Sequence, residues 1–393
     1  MTTGYRRAAV ATALTLALSA PLLGAAPPAS AAGPHEAPQV SYTSPLELPP
    51  PTGSYAVGRR TLHLVDHSRT DPWMPAAGAR ELMATVSYPA RPATGSPAAY
   101  MTDEEARRLL AARGLGGVVP GAAVAGARTH ARTAARPVPG RFPLVLLSPG
   151  FSMPRTTLTS LADDLASRGY VVASVDHAYE SVGTVFSGGR MLECVACERV
   201  DTREEQAALV RGRAEDMSFV IDELTDGRRV GALARMIDPD RIGMGGHSIG
   251  GATAAVVMAE DRRVRAGVDL DGDFFVDPAA TGLGGRPFMM LGAAATHSPG
   301  SPTTDWPAAW RAMTGAKRWL TVSGAEHFSF TDLPYLAGQL GLPDPGAALS
   351  GDRGWRVTRA YVAAFFDRFL RGVPQPLLDG PTAAYPEVAF QRP

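Results

Sequence analysis

Ile242-Gly243-Met244-Gly245-Gly246-His247-Ser248-Ile249-Gly250-Gly251, continuing as Ala252-Thr253-Ala254-Ala255-Val256-Val257-Met258, decides the fold. Apolar residues alternate with glycine as at the buried end of a strand, and a run of good helix formers follows Gly251. Ser248 therefore sits on a tight turn between strand and helix. A serine hydroxyl is a poor nucleophile at neutral pH and has to be held proud of the surface, within reach of a base and beside free backbone N–H donors. The turn supplies the first and third of these. Gly246 and Gly250 lack a Cβ, so strand and helix can close on each other while the serine backbone takes a strained conformation. With 42 glycines in 393 residues the pentapeptide from 246 to 250 is weak by itself, and its strand-to-helix setting is what makes it informative. The competing reading is a glycine-rich turn that merely carries a serine.

Working outward, apolar runs at 142–147 and 170–175 flank a helical pattern over 158–168, which implies a right-handed parallel crossover. A long helix over 203–224 leads to the serine turn, and strands at 264–270, 287–291 and 318–322 follow it. This βαβα order around one nucleophile turn predicts an α/β-hydrolase fold, a doubly wound, mostly parallel sheet. Strand patterns at 61–66 and 82–88 predict an antiparallel pair at its N-terminal edge.

On such a scaffold the acid and the base follow the serine in that order. Only His297 and His327 follow Ser248, and His327 lies directly past the last strand, where a loop can swing an imidazole back over the turn. Asp271 is favoured as the acid because it stands at the carboxyl end of the strand beside the serine strand, with Asp305, Asp269 and Asp273 as alternatives. The loop Ser148-Pro149-Gly150-Phe151-Ser152 follows an early strand, where a second oxyanion donor is needed; the expected donors are the amides of Phe151 and Ile249. Phe274, Phe275, Phe328 and Trp306 stand near these loops as pocket or core aromatics. His177 reads as a structural histidine. The pair His63 and His67 has zinc-like spacing only on a helix, and the local pattern there is strand.

Arg6-Arg7, an apolar run over 8–23 and the small-residue end Ala29-Ser30-Ala31 form a three-part secretory signal, so the mature chain is expected outside the cell. Without the signal the chain carries 36 basic and 38 acidic groups, a balance that argues against a nucleic-acid partner. Cys194 and Cys197 in an exported chain read as a short structural disulfide rather than a redox or metal site, and neither metal nor organic cofactor is expected. Residues 32–54 read as a proline-rich lead-in and 55–372 as the catalytic domain. Within it, 101–140 is a candidate flap with a helix opened by Thr102. A closing helix over 357–370 packs on the sheet, and 373–393 reads as a surface tail.

The same residues resemble the platelet-activating-factor acetylhydrolase family. The resemblance runs from Leu48-Pro49-Pro50-Pro51-Thr52-Gly53 and Asp71-Pro72-Trp73 through Leu147-Ser148-Pro149-Gly150-Phe151, Gly246-His247-Ser248-Ile249-Gly250-Gly251 and Leu270-Asp271-Gly272 to His327-Phe328-Ser329-Phe330-Thr331-Asp332. It implies a triad of Ser248, Asp271 and His327 with oxyanion donors on Phe151 and Ile249, and so resolves the acid in favour of Asp271. Pro149-Gly150 stands where animal members have His-Gly, and 101–140 has no counterpart in the pattern. The expectation is an exported serine hydrolase of small-molecule or lipid esters of short-acyl or phospholipid type, with room for transient contact with a lipid interface. The rival substrates are triacylglycerols and polyesters such as cutin, and the rival class is a non-catalytic binding relative. The oligomeric state is not read from the sequence.

Overall fold

The computed structural model describes residues 45–226, 230–276, 282–342 and 346–392; the leader read over 1–31 and the first part of the proline-rich run lie outside them. The chain opens with β1 (Ala56–Thr70), β2 (Ala79–Ala90) and β3 (Ser96–Pro97), then α1 (Asp103–Ala112), α2 (Gly121–Ala125) and β4 (Ala131–Thr133). The alternation then begins: β5 (Phe142–Ser148), α3 (Thr159–Ser167), β6 (Val171–His177), a hairpin of β7 (Thr184–Phe186) and β8 (Arg190–Leu192), α4 (Arg203–Thr225) and α5 (Ala232–Met236). It continues through β9 (Ile237–His247), α6 (Ile249–Glu260), β10 (Val264–Leu270), β11 (Phe288–Ala293), α7 (Ala294–His297), α8 (Trp306–Ala312) and β12 (Lys317–Val322). Helices α9 (Leu333–Gln339) and α10 (Gly351–Leu370) and strand β13 (Val388–Phe390) close it.

Eleven strands form one sheet in the order β13-β12-β11-β10-β9-β5-β6-β2-β1-β4-β3. The run from β12 to β6 is parallel throughout. From β5 the chain winds outward to β6, then returns to β9 on the other side and winds away through β12. The carboxyl ends of β5 and β9 therefore meet at the switch point, where open α/β sheets hold their ligands.

The strands of this run are apolar on both faces because both are covered. Leu144 and Leu146 of β5 pack with α4 and α6, whereas Val145 and Leu147, one residue out of phase, pack with α3 and α10. The closing helix presents Val357, Tyr361, Val362, Phe365 and Phe366 to that second face, all buried. Helix α1 starts at a capping box in which Thr102 and Glu105 each bond the other's backbone N–H, as a Thr followed three residues later by Glu predicts.

Three boundaries differ from expectation. The antiparallel pair β1–β2 is not the sheet edge, because the short strands β4 and β3 add outside β1. Residues 101–140 are consequently no free flap: β4 belongs to the sheet, and α1 and α2 pack with α9 in a separate apolar cluster that also takes in Leu46 and Leu48. The tail after residue 373 is not a plain surface run, since β13 pairs antiparallel with β12 and buries Val388. Strands of two or three residues carry too little periodicity to stand out from the loop composition around them. Among the described residues no helix is long and apolar enough to cross a membrane.

Candidate active site

Ser248 alone separates β9 from α6, and its backbone stands at φ 56°, ψ −126°. That conformation is strained for a residue with a side chain and holds the hydroxyl away from both elements. The turn closes this tightly because of two glycines. A Cβ on Gly246 would lie 2.3 Å from the Gly250 carbonyl carbon, and one on Gly250 would lie 2.0 Å from the Ser148 carbonyl oxygen. The Ser248 amide is held by the Leu270 carbonyl at 2.8 Å.

His327 stands on a single helical turn just past β12, and its Nε2 is 3.0 Å from Ser248 Oγ. Its Nδ1 is 2.6 Å from Asp271 Oδ2. Asp271 follows the last residue of β10 at φ 61°, a left-handed backbone that turns its carboxylate back across the sheet ends. Its other oxygen, Oδ1, accepts the Ala293 amide at 2.6 Å. Burial by itself would raise this carboxyl. The bond from His327, the charges of His297 and His327 and the Ala293 N–H outweigh burial and hold it below the usual carboxylate range. The Asp271 side chain is 3% exposed and that of His327 44%, so the acid is sealed while the imidazole faces the site.

Two backbone donors are open beside the serine. Ile249 is the first residue of α6, where a helix has no partner for its N–H, and among the described residues neither its amide nor that of Phe151 donates to a protein acceptor. The Gly150 carbonyl accepts the Met153 amide at 3.2 Å, and across a trans peptide this directs the Phe151 N–H the opposite way. Gly150 itself runs against the nucleophile turn: a Cβ there would lie 2.8 Å from His247 Nδ1 and 3.5 Å from Ser248 Cβ.

The other candidates go elsewhere. Asp305 binds Arg203 at 2.6 Å and the Phe274 amide at 3.0 Å. Asp269 is buried under the turn with Oδ1 on the Gly272 amide at 3.0 Å, and burial raises its pKa well above normal. Asp273 comes only to 4.0 Å of His297 Nδ1. His297 lies behind the acid, 3.5 Å from Asp271 Oδ1, and stacks on Trp306. Trp306 and Phe274 are core residues, and Phe275 is half-buried under Arg203. His177 is buried between Ser148 and Asp216, and His63 pairs with Glu81 across the β1–β2 ladder. Cys194 and Cys197 form a disulfide on the loop before α4.

Compared with known proteins, the chain matches the family model described as platelet-activating factor acetylhydrolase, isoform II, over residues 47–189 and 208–342. It belongs to this family. A relative from Arthroderma benhamiae, named as a probable 1-alkyl-2-acetylglycerophosphocholine esterase, is 28% identical over 89% of this chain and 95% of its own length. The platelet-activating factor acetylhydrolase of Canis lupus familiaris is 25% identical over 51% of this chain and 50% of its own. Among solved structures, a ferulic acid esterase from Streptomyces cinnamoneus is 46% identical and superposes with a TM-score of 0.80, covering 89% of this chain and 100% of that one. This member of the acetylhydrolase family is a carboxylic ester hydrolase.

An apolar cavity opens beside Phe328. Phe328, next to His327, lines it together with Leu109, Leu110, Leu115, Leu336 and Leu340, and its volume is about 290 Å³. Its walls come from the 101–140 segment and α9, and Arg113 lies over the Phe328 ring at 3.9 Å. Two further side chains, neither among the sequence-predicted site residues, bear on the site. His247, inside the quoted stretch, binds the loop of His327, and Arg213 of α4 binds the loop over 148–152. The first could be suspected from its place beside Ser248. The second lies 64 residues from its partner Pro149 and leaves no local signal.

Proposed function

We propose that this chain is an exported serine esterase in which Ser248, His327 and Asp271 form the catalytic triad. The reading rests on one observation, the continuous run of hydrogen bonds from Ser248 Oγ through His327 to Asp271 on a serine held at a strained turn. Ser248 Oγ attacks the acyl carbon and its proton passes to His327 Nε2. Asp271, kept ionised, holds the Nδ1–H tautomer and steadies the imidazolium. The tetrahedral oxyanion takes the Phe151 and Ile249 N–H groups. Losing one such donor typically costs about 3 kcal/mol of barrier. His327 then protonates the leaving alcohol, and water hydrolyses the acyl-enzyme by the same steps in reverse.

For substrate we propose an ester with an apolar group that the cavity beside Phe328 takes up, of the short-acyl or phospholipid type named for the Arthroderma relative. An ester of ferulic acid is the second reading, favoured by the 46% identity to a protein described as a ferulic acid esterase. Export is proposed from the signal pattern of 1–31, and the Cys194–Cys197 disulfide suits an oxidising compartment.

Ser248→Ala should abolish hydrolysis of a short p-nitrophenyl ester with circular dichroism unchanged; undiminished turnover refutes the triad. A series of p-nitrophenyl acyl esters, an sn-2-acetyl phospholipid and methyl ferulate then ranks the substrate classes.

A further inference from the structure

The loop that carries the Phe151 amide is backed by a cluster of charges sealed from water. Arg213, on α4 and 1% exposed in its side chain, donates from Nε to Glu180 Oε2 at 2.7 Å. Its Nη1 donates to the Pro149 carbonyl at 2.6 Å and to Ser148 Oγ at 3.2 Å. Ser148 Oγ is also 3.0 Å from His177 Nε2, and His177 Nδ1 is 2.8 Å from Asp216 Oδ2. Asp216 and Glu180 are both held by Arg80 at 2.7 Å, and Arg80 reaches Asp71 at 2.9 Å.

Proton counting gives this cluster a single arrangement. A carboxylate such as Asp216 only accepts, so His177 Nδ1 carries a hydrogen; burial and the Arg213 charge lower the His177 pKa and keep the ring neutral, so Nε2 accepts the Ser148 hydroxyl while Ser148 Oγ accepts from Arg213. Nε2 is then unprotonated, and the ring hydrogen sits on Nδ1, donated to Asp216. Ser148, His177 and Asp216 thus repeat the donor order of Ser248, His327 and Asp271, but Ser148 is wholly buried and its oxygen already accepts a guanidinium N–H. It is not a second nucleophile.

Burying charges in this way contributes little net stability, because desolvation offsets the attraction between them. What the cluster does have is a fixed guanidinium on a carbonyl two residues before Phe151. We infer that Arg213 is a positioning residue for the oxyanion loop, and that through the Pro149 carbonyl it fixes the Pro149–Gly150 peptide, on which the next peptide, carrying the Phe151 N–H, is mounted. This rests on the oxyanion role proposed above.

The test is kinetic. Arg213→Met keeps the unbranched stem of the side chain and removes the guanidinium donors, and Glu180 retains Arg80 and Trp73 as partners, at 2.7 Å and 2.8 Å. With p-nitrophenyl acetate, kcat should fall about 10- to 100-fold and KM stay within about twofold, the range for a misplaced rather than deleted donor. Affinity for a trifluoromethyl ketone, whose tetrahedral adduct carries the oxyanion, should weaken by the same factor as kcat/KM. Arg213→Lys, which keeps one donor within reach of the carbonyl, should recover part of the loss, and it is the variant to read if the methionine protein does not fold. Wild-type kcat in either folded variant, or a loss of kcat without a matching loss of ketone affinity, overturns the inference. Ser248→Ala measured alongside separates the two claims: if it stays active, the triad reading has failed instead.

Discussion

His247 Nε2 lies 2.7 Å from the main-chain carbonyl of His327, and the two rings lie with centroids 4.6 Å apart, tilted by 45°. A carbonyl only accepts, so Nε2 carries the hydrogen. Nδ1 is left as a buried acceptor with no partner among the described residues. The side chain before Ser248 therefore ties down the loop that carries His327.

Burial, aided by the nearby charge of His327, pushes the His247 pKa down to about 3 from an ordinary value of 6.5. Between those values the unfolded chain binds the extra proton and the native protein does not, so stability falls as pH drops through that window. His247→Phe should remove that part of the acid sensitivity and flatten the urea midpoint between pH 6.5 and pH 4. It should also lower kcat about tenfold by freeing the His327 loop. An unchanged slope with unchanged kcat would show that the bond does nothing.

Asp271 and Asp305 make opposite predictions. Asn tolerates the left-handed backbone at position 271, so Asp271→Asn should fold normally, but it can hold His327 in the wrong tautomer, and kcat should fall by up to about 10⁴-fold. Asp305→Asn loosens only the bond to Arg203 and should leave kcat within a few-fold. Hydrolysis of a p-nitrophenyl ester by the two variants is enough, and an inactive Asp305 variant beside an active Asp271 variant would reverse the assignment.

What was legible in the sequence follows the range of the interactions. The Ser248 turn announces itself because strand, glycines and helix are contiguous, and the loops of Phe151, Asp271 and His327 each follow directly on a strong apolar strand. Topology then brings those strand ends together. Thr102 and Glu105 were readable for the same reason, since both halves of the cap lie within one turn. Arg213 was not, because its meaning lies in what a fold-wide crossing places opposite it. The strands β3, β4 and β13 were hidden too: their pairing is decided by neighbours far along the chain. Trp306 and Phe274 showed only that they stood near the loops, and burial placed them in the core.

Asp332 offers a test at the alkaline side. It is buried at the start of α9, five residues after His327, with its carboxylate accepting the Ser160 amide at 3.2 Å and the Tyr100 hydroxyl at 3.4 Å. Burial raises its pKa to about 7 from 3.8, with Asp163 adding to the rise and the Ser160 bonds and Arg59 opposing it. The native protein binds the extra proton between those values, so this contribution to stability is full below 3.8 and is lost as pH rises through 7. Asp332→Asn imitates the protonated form. Its stability relative to wild type should be near zero at pH 3 and rise to roughly 2–4 kcal/mol at pH 8.5 by urea unfolding. An equal difference at both pH values would remove the titration argument.

The cavity beside Phe328 can be filled without touching the relay. Ala337 lines it from α9, and Ala337→Phe projects a ring into a space of about 290 Å³ walled by leucines. If that space receives the apolar part of the substrate, the loss should scale with what no longer fits. Each excluded methylene is worth about 10-fold or more in kcat/KM in a well-fitted apolar pocket. A p-nitrophenyl octanoate should therefore lose at least about tenfold, while the acetate, too short to use the space, should stay within about twofold. The ratio of the two rates is the quantity to measure, since a general disturbance of His327 would lower both alike and leave it unchanged. An unaltered ratio in a folded variant would put the apolar group of the substrate somewhere other than between α1 and α9.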